Sequence, residues 1–133
     1  MGSSGFEHVL LGEQQNGLVF GLHNWLYFYL LEKRREINYF GYFDRVEERL
    51  ATIQYSWNST RKMIGGFFLN TSPAFDFTLY TICHFLHPNS NRCRFNSEGH
   101  KYAIQSYANP CATQGGVCIG TAYPILCPTD GAC

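Results

Sequence analysis

The chain carries no net charge, since ten Lys and Arg balance ten Asp and Glu. That excludes a protein that holds nucleic acid through a bulk positive field, but not an enzyme whose few cations converge on one phosphate. No apolar run reaches the roughly 18 residues of a membrane span, so no membrane partner is expected. The N-terminal MGSSGFEH lacks the basic and apolar blocks of a signal peptide. The chain is therefore expected either to start inside a longer precursor or to bypass the usual secretory route. No CxxC pair occurs among the six cysteines, which argues against a structural zinc site. There is no internal repeat, no low-complexity stretch and no strand–helix–strand rhythm of the kind a doubly wound sheet needs.

What is present is material for one folded domain, residues 1–133, in which 45 % of residues are apolar and 17 % aromatic. The 11 Phe and 9 Tyr suit β-rich structure first and base stacking second. Four cysteines, Cys111, Cys118, Cys127 and Cys133, fall in the last 23 residues, with Cys83 and Cys93 before them. Disulfides in the tail would imply an oxidising compartment and a secreted protein; buried thiols would leave the chain intracellular. Sequence alone does not choose the pairing.

Residues 6–20 read as a β-hairpin turning at Asn16-Gly17, because Gly tolerates positive φ. Residues 22–34 read as a helix, with Leu22, Trp25, Leu26 and Tyr29 at three- and four-residue spacing and basic residues at its end. Strands are predicted over 37–43, 51–57 and 62–69, the last with a kink or bulge at Gly65-Gly66. Ser72 fits an N-cap and Pro73 the first helical position of a second helix ending near residue 86, before Pro88. Short strands follow at 92–95 and 101–107 and around VCIGTAYPIL. The fold class is α+β: antiparallel sheets with two main helices.

Five histidines are the candidate chemical groups. His8 follows Glu7 and lies five residues before Glu13, while His23 opens the first predicted helix. A hairpin between them brings them close. Two imidazoles can cleave RNA together, one taking the 2′-OH proton and the other protonating the leaving oxygen. A cation to stabilise the crowded phosphate is then needed, and Lys62 is the candidate, with Arg61 beside it. By spacing alone a histidine pair is more often structural. His84-x-x-His87 reads as an exposed helix end rather than a metal pair.

The strings SSGFEHVLLGE, GLHNWLYFYLLEK and INYFGYF, followed by KMIGGFFLNTSPAFDFTLYTICHFL, HKYAIQSY and GTAY, resemble the EndoU family of endoribonucleases. The likeness runs over nearly all of residues 3–125. It implies the catalytic lobe of that family: cleavage of single-stranded RNA at uridylates, stimulated by Mn²⁺, leaving a 2′,3′-cyclic phosphate. By the same resemblance His8 and His23 are the catalytic histidines and Lys62 the catalytic lysine. Thr121 and Tyr123 would then contact uracil and ribose. Glu7 and Glu13 either orient the histidines or help to hold the metal. Family members are about twice this length and carry a helical N-terminal lobe, so apolar surface is expected to be exposed here unless that lobe or another chain covers it. The alternative is a non-catalytic RNA-binding module of the same fold.

Overall fold

The computed structural model describes residues 4–88, 92–111, 116–127 and 133. Among these residues eight strands form three antiparallel sheets. A two-stranded hairpin pairs β1 (Glu13–Gln15) with β2 (Leu18–Phe20) around Asn16-Gly17, both of which have positive φ. The second sheet has order β3 (Ile37–Val46), β4 (Leu50–Trp57), β5 (Thr60–Phe68). The third has order β6 (Cys93–Ser97), β7 (His100–Pro110), β8 (Val117–Leu126). Helix α1 (Trp25–Lys33) precedes the second sheet, and α2 (Pro73–Leu86) joins it to the third. The α+β class expected from sequence is the one observed.

The hairpin is shorter than the sequence suggests. Residues 7–11 form a wide helical turn instead of its first arm. Val9 and Leu10 are both buried, and two adjacent buried side chains suit a helical turn rather than an alternating strand. Gly12, at φ 71°, ends the turn by donating to the carbonyls of Glu7 and His8.

Helix α1 also starts later than expected. Leu22 has a left-handed backbone (φ 59°), and Asn24 caps the helix by accepting the Tyr27 N–H at 3.0 Å. His23 thus lies in the linker before the helix. The stripe facing the sheet is Trp25, Phe28 and Leu31, while Tyr29 is exposed. Phe28 packs edge-on to Tyr55 at 5.2 Å and against Phe67 at 5.1 Å. Ser72 and Pro73 begin α2 as read, with the Ser72 hydroxyl accepting from the Phe75 N–H.

Two cores result. One gathers Leu50, Phe68, Tyr80, Tyr102, Ile104 and Ala122 between α2 and the third sheet. The other gathers Leu22, Leu31, Ile37, Ile53, Tyr55 and Phe67 beneath α1. All six cysteines pair, as Cys83–Cys93, Cys111–Cys118 and Cys127–Cys133. Two of these lie in the tail, and the first ties α2 to β6. Tyr39, Phe40, Tyr42 and Phe43 on β3 are exposed, as are Met63 and Ile64 on β5 and Phe85 and Leu86 on α2, giving the apolar surface anticipated. Among the described residues no helix is long and apolar enough to cross a membrane.

Candidate active site

The second and third sheets meet where β5 passes β8, and a cavity of about 370 Å³ opens there. Four segments supply its functional walls: His8 from the helical turn, His23 from the linker before α1, Lys62 from β5, and Thr121 with Tyr123 from β8. Backbone bonds fix the two histidines relative to each other. The Leu22 N–H donates to the His8 carbonyl at 3.1 Å and the His23 N–H to the Val9 carbonyl at 2.7 Å. Gly21 permits this approach: its φ is +62°, and a Cβ there would overlap the His8 carbonyl oxygen.

Each histidine is held by a different kind of partner. His8 Nδ1 lies 2.7 Å from Glu13 Oε1, which leaves Nε2 for a ligand. His23 Nδ1 lies 2.8 Å from the Gly66 carbonyl oxygen. A carbonyl only accepts, so Nδ1 carries the proton and Nε2 keeps a lone pair. The His23 ring is 5 % exposed. Burial first, and then the Lys62 ammonium, hold its pKa well below the usual 6.5, against the opposing Gly66 bond. His23 is therefore neutral at physiological pH.

A bulge turns Lys62 inward. Tyr55 pairs with Lys62 and Ile53 with Gly65, so β5 spends one residue more than β4 over this step. Met63 and Ile64 both face out as a result. The bulge expected at Gly65-Gly66 lies just before it. Gly65 leaves room for the lysine stem, since a Cβ there would come 3.3 Å from Lys62 Cε. Lys62 Nζ donates to the Gly21 carbonyl at 2.7 Å, and burial lowers its pKa from 10.5 to about 8. The neighbouring Arg61 is exposed and lies over the Phe40 ring at 5.4 Å, away from the cavity.

Tyr123 places its ring 5.1 Å from that of His23. Burial and then a hydrogen bond with Tyr107 push its hydroxyl up to about 12, so it stays protonated. The two flanking carboxylates have different hydrogen-bond partners. Glu13 faces His8, while Glu7 is exposed and accepts from the Ser4 N–H at 2.8 Å and the Ser4 hydroxyl at 3.0 Å. No cluster of three or more His, Cys, Asp or Glu suited to a metal occurs among the described residues. The donor set here does not fit a manganese ion bound by Glu7 and Glu13 together. His84 corrects the reading of an exposed helix end: it is buried against the core side of α2, and burial lowers its pKa.

The sequence-level model that describes "Endoribonuclease XendoU" matches residues 1–124. This chain belongs to the XendoU endoribonuclease family. It is 40 % identical over 136 residues to the poly(U)-specific endoribonuclease of Xenopus tropicalis, covering 96 % of this chain and 45 % of that protein. It is 42 % identical over 129 residues to uridylate-specific endoribonuclease C of Xenopus laevis, covering 92 % of this chain and 42 % of that protein. Among solved structures, that of XendoU, described as a splicing-independent snoRNA-processing endoribonuclease, superposes with a TM-score of 0.74 at 35 % identity. The match covers 96 % of this chain and 48 % of that one. The endoribonuclease Nsp15 of Middle East Respiratory Syndrome coronavirus shares the fold, with a TM-score of 0.66 at 16 % identity over 90 % of this chain and 33 % of that one. The chain spans under half the length of these relatives.

Several groups that build the XendoU-family site escaped the sequence reading. The carbonyls of Gly21 and Gly66 anchor Lys62 and His23, and backbone acceptors leave no trace in residue type. Behind His23 stands a buried network. Tyr80 donates its hydroxyl to the His23 carbonyl at 3.2 Å, and Asn24 Nδ2 donates to Asp76 Oδ2 at 2.9 Å. Asn24 ahead of an aromatic helix was a readable cap; its tie to α2, 52 residues away, was not.

Proposed function

We propose that this chain carries the catalytic centre of an endoribonuclease that cuts single-stranded RNA at uridylates. The 2′-OH attacks the adjacent phosphorus, the 5′-oxygen leaves, and the products are a 2′,3′-cyclic phosphate and a 5′-hydroxyl. One observation supports it above others: two imidazoles in different electrostatic settings and a buried ammonium line a single cavity.

The roles follow from the partners. His23 is neutral with Nε2 bare, which suits the general base that takes the 2′-OH proton. His8 has a carboxylate beside it, the counter-ion an imidazolium needs, which suits the acid that protonates the leaving oxygen. Lys62 supplies positive charge to the pentacoordinate phosphate in a site sheltered from water, where that charge counts for more. Thr121 and Tyr123 stand where a uracil and its ribose would meet a hydroxyl and an aromatic face. Mn²⁺ is expected to stimulate the full-length enzyme, as the family resemblance implies. The rest of a family-length protein, or a separate chain, would cover the exposed faces of β3 and α2. The three disulfides favour a secreted enzyme.

The test uses the full-length protein on a U-containing oligonucleotide and on its twin with a 2′-deoxy sugar at that uridine. Cleavage of the first alone, with a cyclic phosphate end, is expected. Cutting of the deoxy twin refutes transesterification. Tight RNA binding without product, at high enzyme and with Mn²⁺, would favour the non-catalytic module.

A further inference from the structure

The turn between β4 and β5 holds a feature with no part in the cavity. Its sequence is Trp57-Asn58-Ser59-Thr60, and Trp57 pairs with Thr60 across the ladder. Asn58 and Ser59 both have left-handed backbones, φ 44° and 70°, the geometry of a tight two-residue hairpin. Asn58 and Ser59 are exposed at its tip. The Asn58 backbone N–H is anchored to the Glu36 carbonyl at 2.8 Å, while its side-chain amide has no hydrogen-bond partner among the described residues. Asn-Ser-Thr has the spacing that an oligosaccharide-transferring enzyme accepts, an amide with a hydroxyl two residues on.

Independently, all six cysteines are paired, the state an oxidising compartment of the kind where that transferase works would produce. A second Asn-x-Ser, at Asn70-Thr71-Ser72, is differently placed. Asn70 Nδ2 already donates to the Glu48 carbonyl at 3.1 Å, the Ser72 hydroxyl caps α2, and Pro73 stiffens Ser72 in extended backbone.

We propose that Asn58 is the acceptor of an N-linked glycan. The Asn58 Nδ2 attacks the anomeric carbon of a lipid-diphosphate oligosaccharide. The C–N bond forms as the anomeric C–O bond breaks, the lipid diphosphate leaves, and the amide proton passes to the transferase. No oxidation occurs. The sugar projects from the hairpin tip, clear of the cavity walls, and adds a hydrated cover beside the apolar β3–β5 face.

This does not rest on the nuclease reading and is tested without it. The full-length protein is purified from the cells or fluid that make it and digested with trypsin, which releases residues 50–61 as one peptide containing Asn58 and no other acceptor. The expected result is a glycopeptide that peptide N-glycosidase converts, in heavy-oxygen water, to the same peptide with labelled Asp at position 58. Secreted Asn58→Gln and Thr60→Ala proteins are expected to lose the glycosidase-sensitive mobility shift. Thr60→Ser, which restores the hydroxyl, is expected to keep it. A bare peptide 50–61 in the native protein, or a glycan confined to Asn70, overturns the proposal.

Discussion

Replacing Lys62 by methionine should lower kcat by roughly 10²–10³ and yet stabilise the protein near neutral pH. Methionine fills similar space, and the side chain is only 8 % exposed, so the comparison isolates the buried charge. Burial lowers the lysine pKa from 10.5 to about 8; at about 1.36 kcal/mol per pH unit that interval is roughly 3 kcal/mol. Because the folded pKa is the lower one, the unfolded chain binds more protons between these values, and wild-type stability climbs as pH rises through this window. Below about pH 8 the fold bears the whole penalty. The variant escapes it but strands the Gly21 carbonyl that Nζ satisfies at 2.7 Å, a loss of about 1–2 kcal/mol. The net gain near neutrality is then about 1–2 kcal/mol, and it should reverse to a loss of about 1–2 kcal/mol above the unfolded pKa, where the neutral amine still donates. Urea unfolding of both full-length proteins across this pH range, followed by the fluorescence of Trp25 and Trp57, measures it. No thiol titrates there, since all six cysteines are paired. A variant less stable near neutrality, or a stability difference that does not change with pH, would refute the reasoning.

The acid limb of kcat/KM should fall below pH 6.5, because burial and Lys62 keep His23 neutral there; a limb at or above 6.5 would remove it as the base. Glu13→Gln keeps the shape but removes the charge at 2.7 Å from His8, and turnover should fall roughly 10- to 100-fold, as expected for a charge-assisted hydrogen bond. Unchanged turnover would mean that His8 does not depend on that partner. Lys62→Ala should cost roughly 10²–10³ in kcat, whereas Arg61→Ala, which loses only its place over Phe40, should leave single-turnover rates nearly intact; the reverse order would hand the lysine's role to Arg61. Tyr80→Phe strips the hydroxyl from the His23 carbonyl and should destabilise by about 1 kcal/mol in urea, with no change showing that the bond contributes nothing.

The elements that sequence placed well are those whose signals are local. Ser72-Pro73 announces α2 because a cap and an imino acid act within one turn. Asn16-Gly17 announces a hairpin because two left-handed residues suffice to reverse the chain. The misplaced boundaries are those where a distant partner decides. Residues 7–11 carry apolar side chains that fit a strand, but burial of both Val9 and Leu10 against Tyr80, Ile104 and Ala122 requires a helical turn. Leu22 and His23 continue the helical spacing of α1, yet their N–H groups are taken by His8 and Val9. The motif resemblance named the candidate residues that line the cavity; the residues by themselves left the pair of histidines ambiguous. The glycine pair announced a bulge near residue 65, but neither reading could set it between Lys62 and Gly65, where it turns the lysine inward, because that position depends on the register of β4 against β5.

That dependence on register bears on how the two histidines come to suit the opposite tasks proposed for them. Their intrinsic chemistry is the same, so the difference must come from what the fold sets beside each Nδ1. Glu13 reaches His8 from five residues away, across the turn that ends at Gly12. The Gly66 carbonyl reaches His23 from 43 residues away, on a strand whose bulge also delivers Lys62. One histidine is therefore oriented by a local element and the other by the sheet. Damage confined to the β4–β5 ladder should disable His23 and Lys62 together while leaving the His8–Glu13 pair in place. Removing the extra residue of the bulge, by deleting Met63, makes that separation measurable. The His8 imidazole signal in NMR should keep its Glu13-bonded position while that of His23 moves. Movement of both would mean that the helical turn and β5 form one unit, and that the two environments are not set independently.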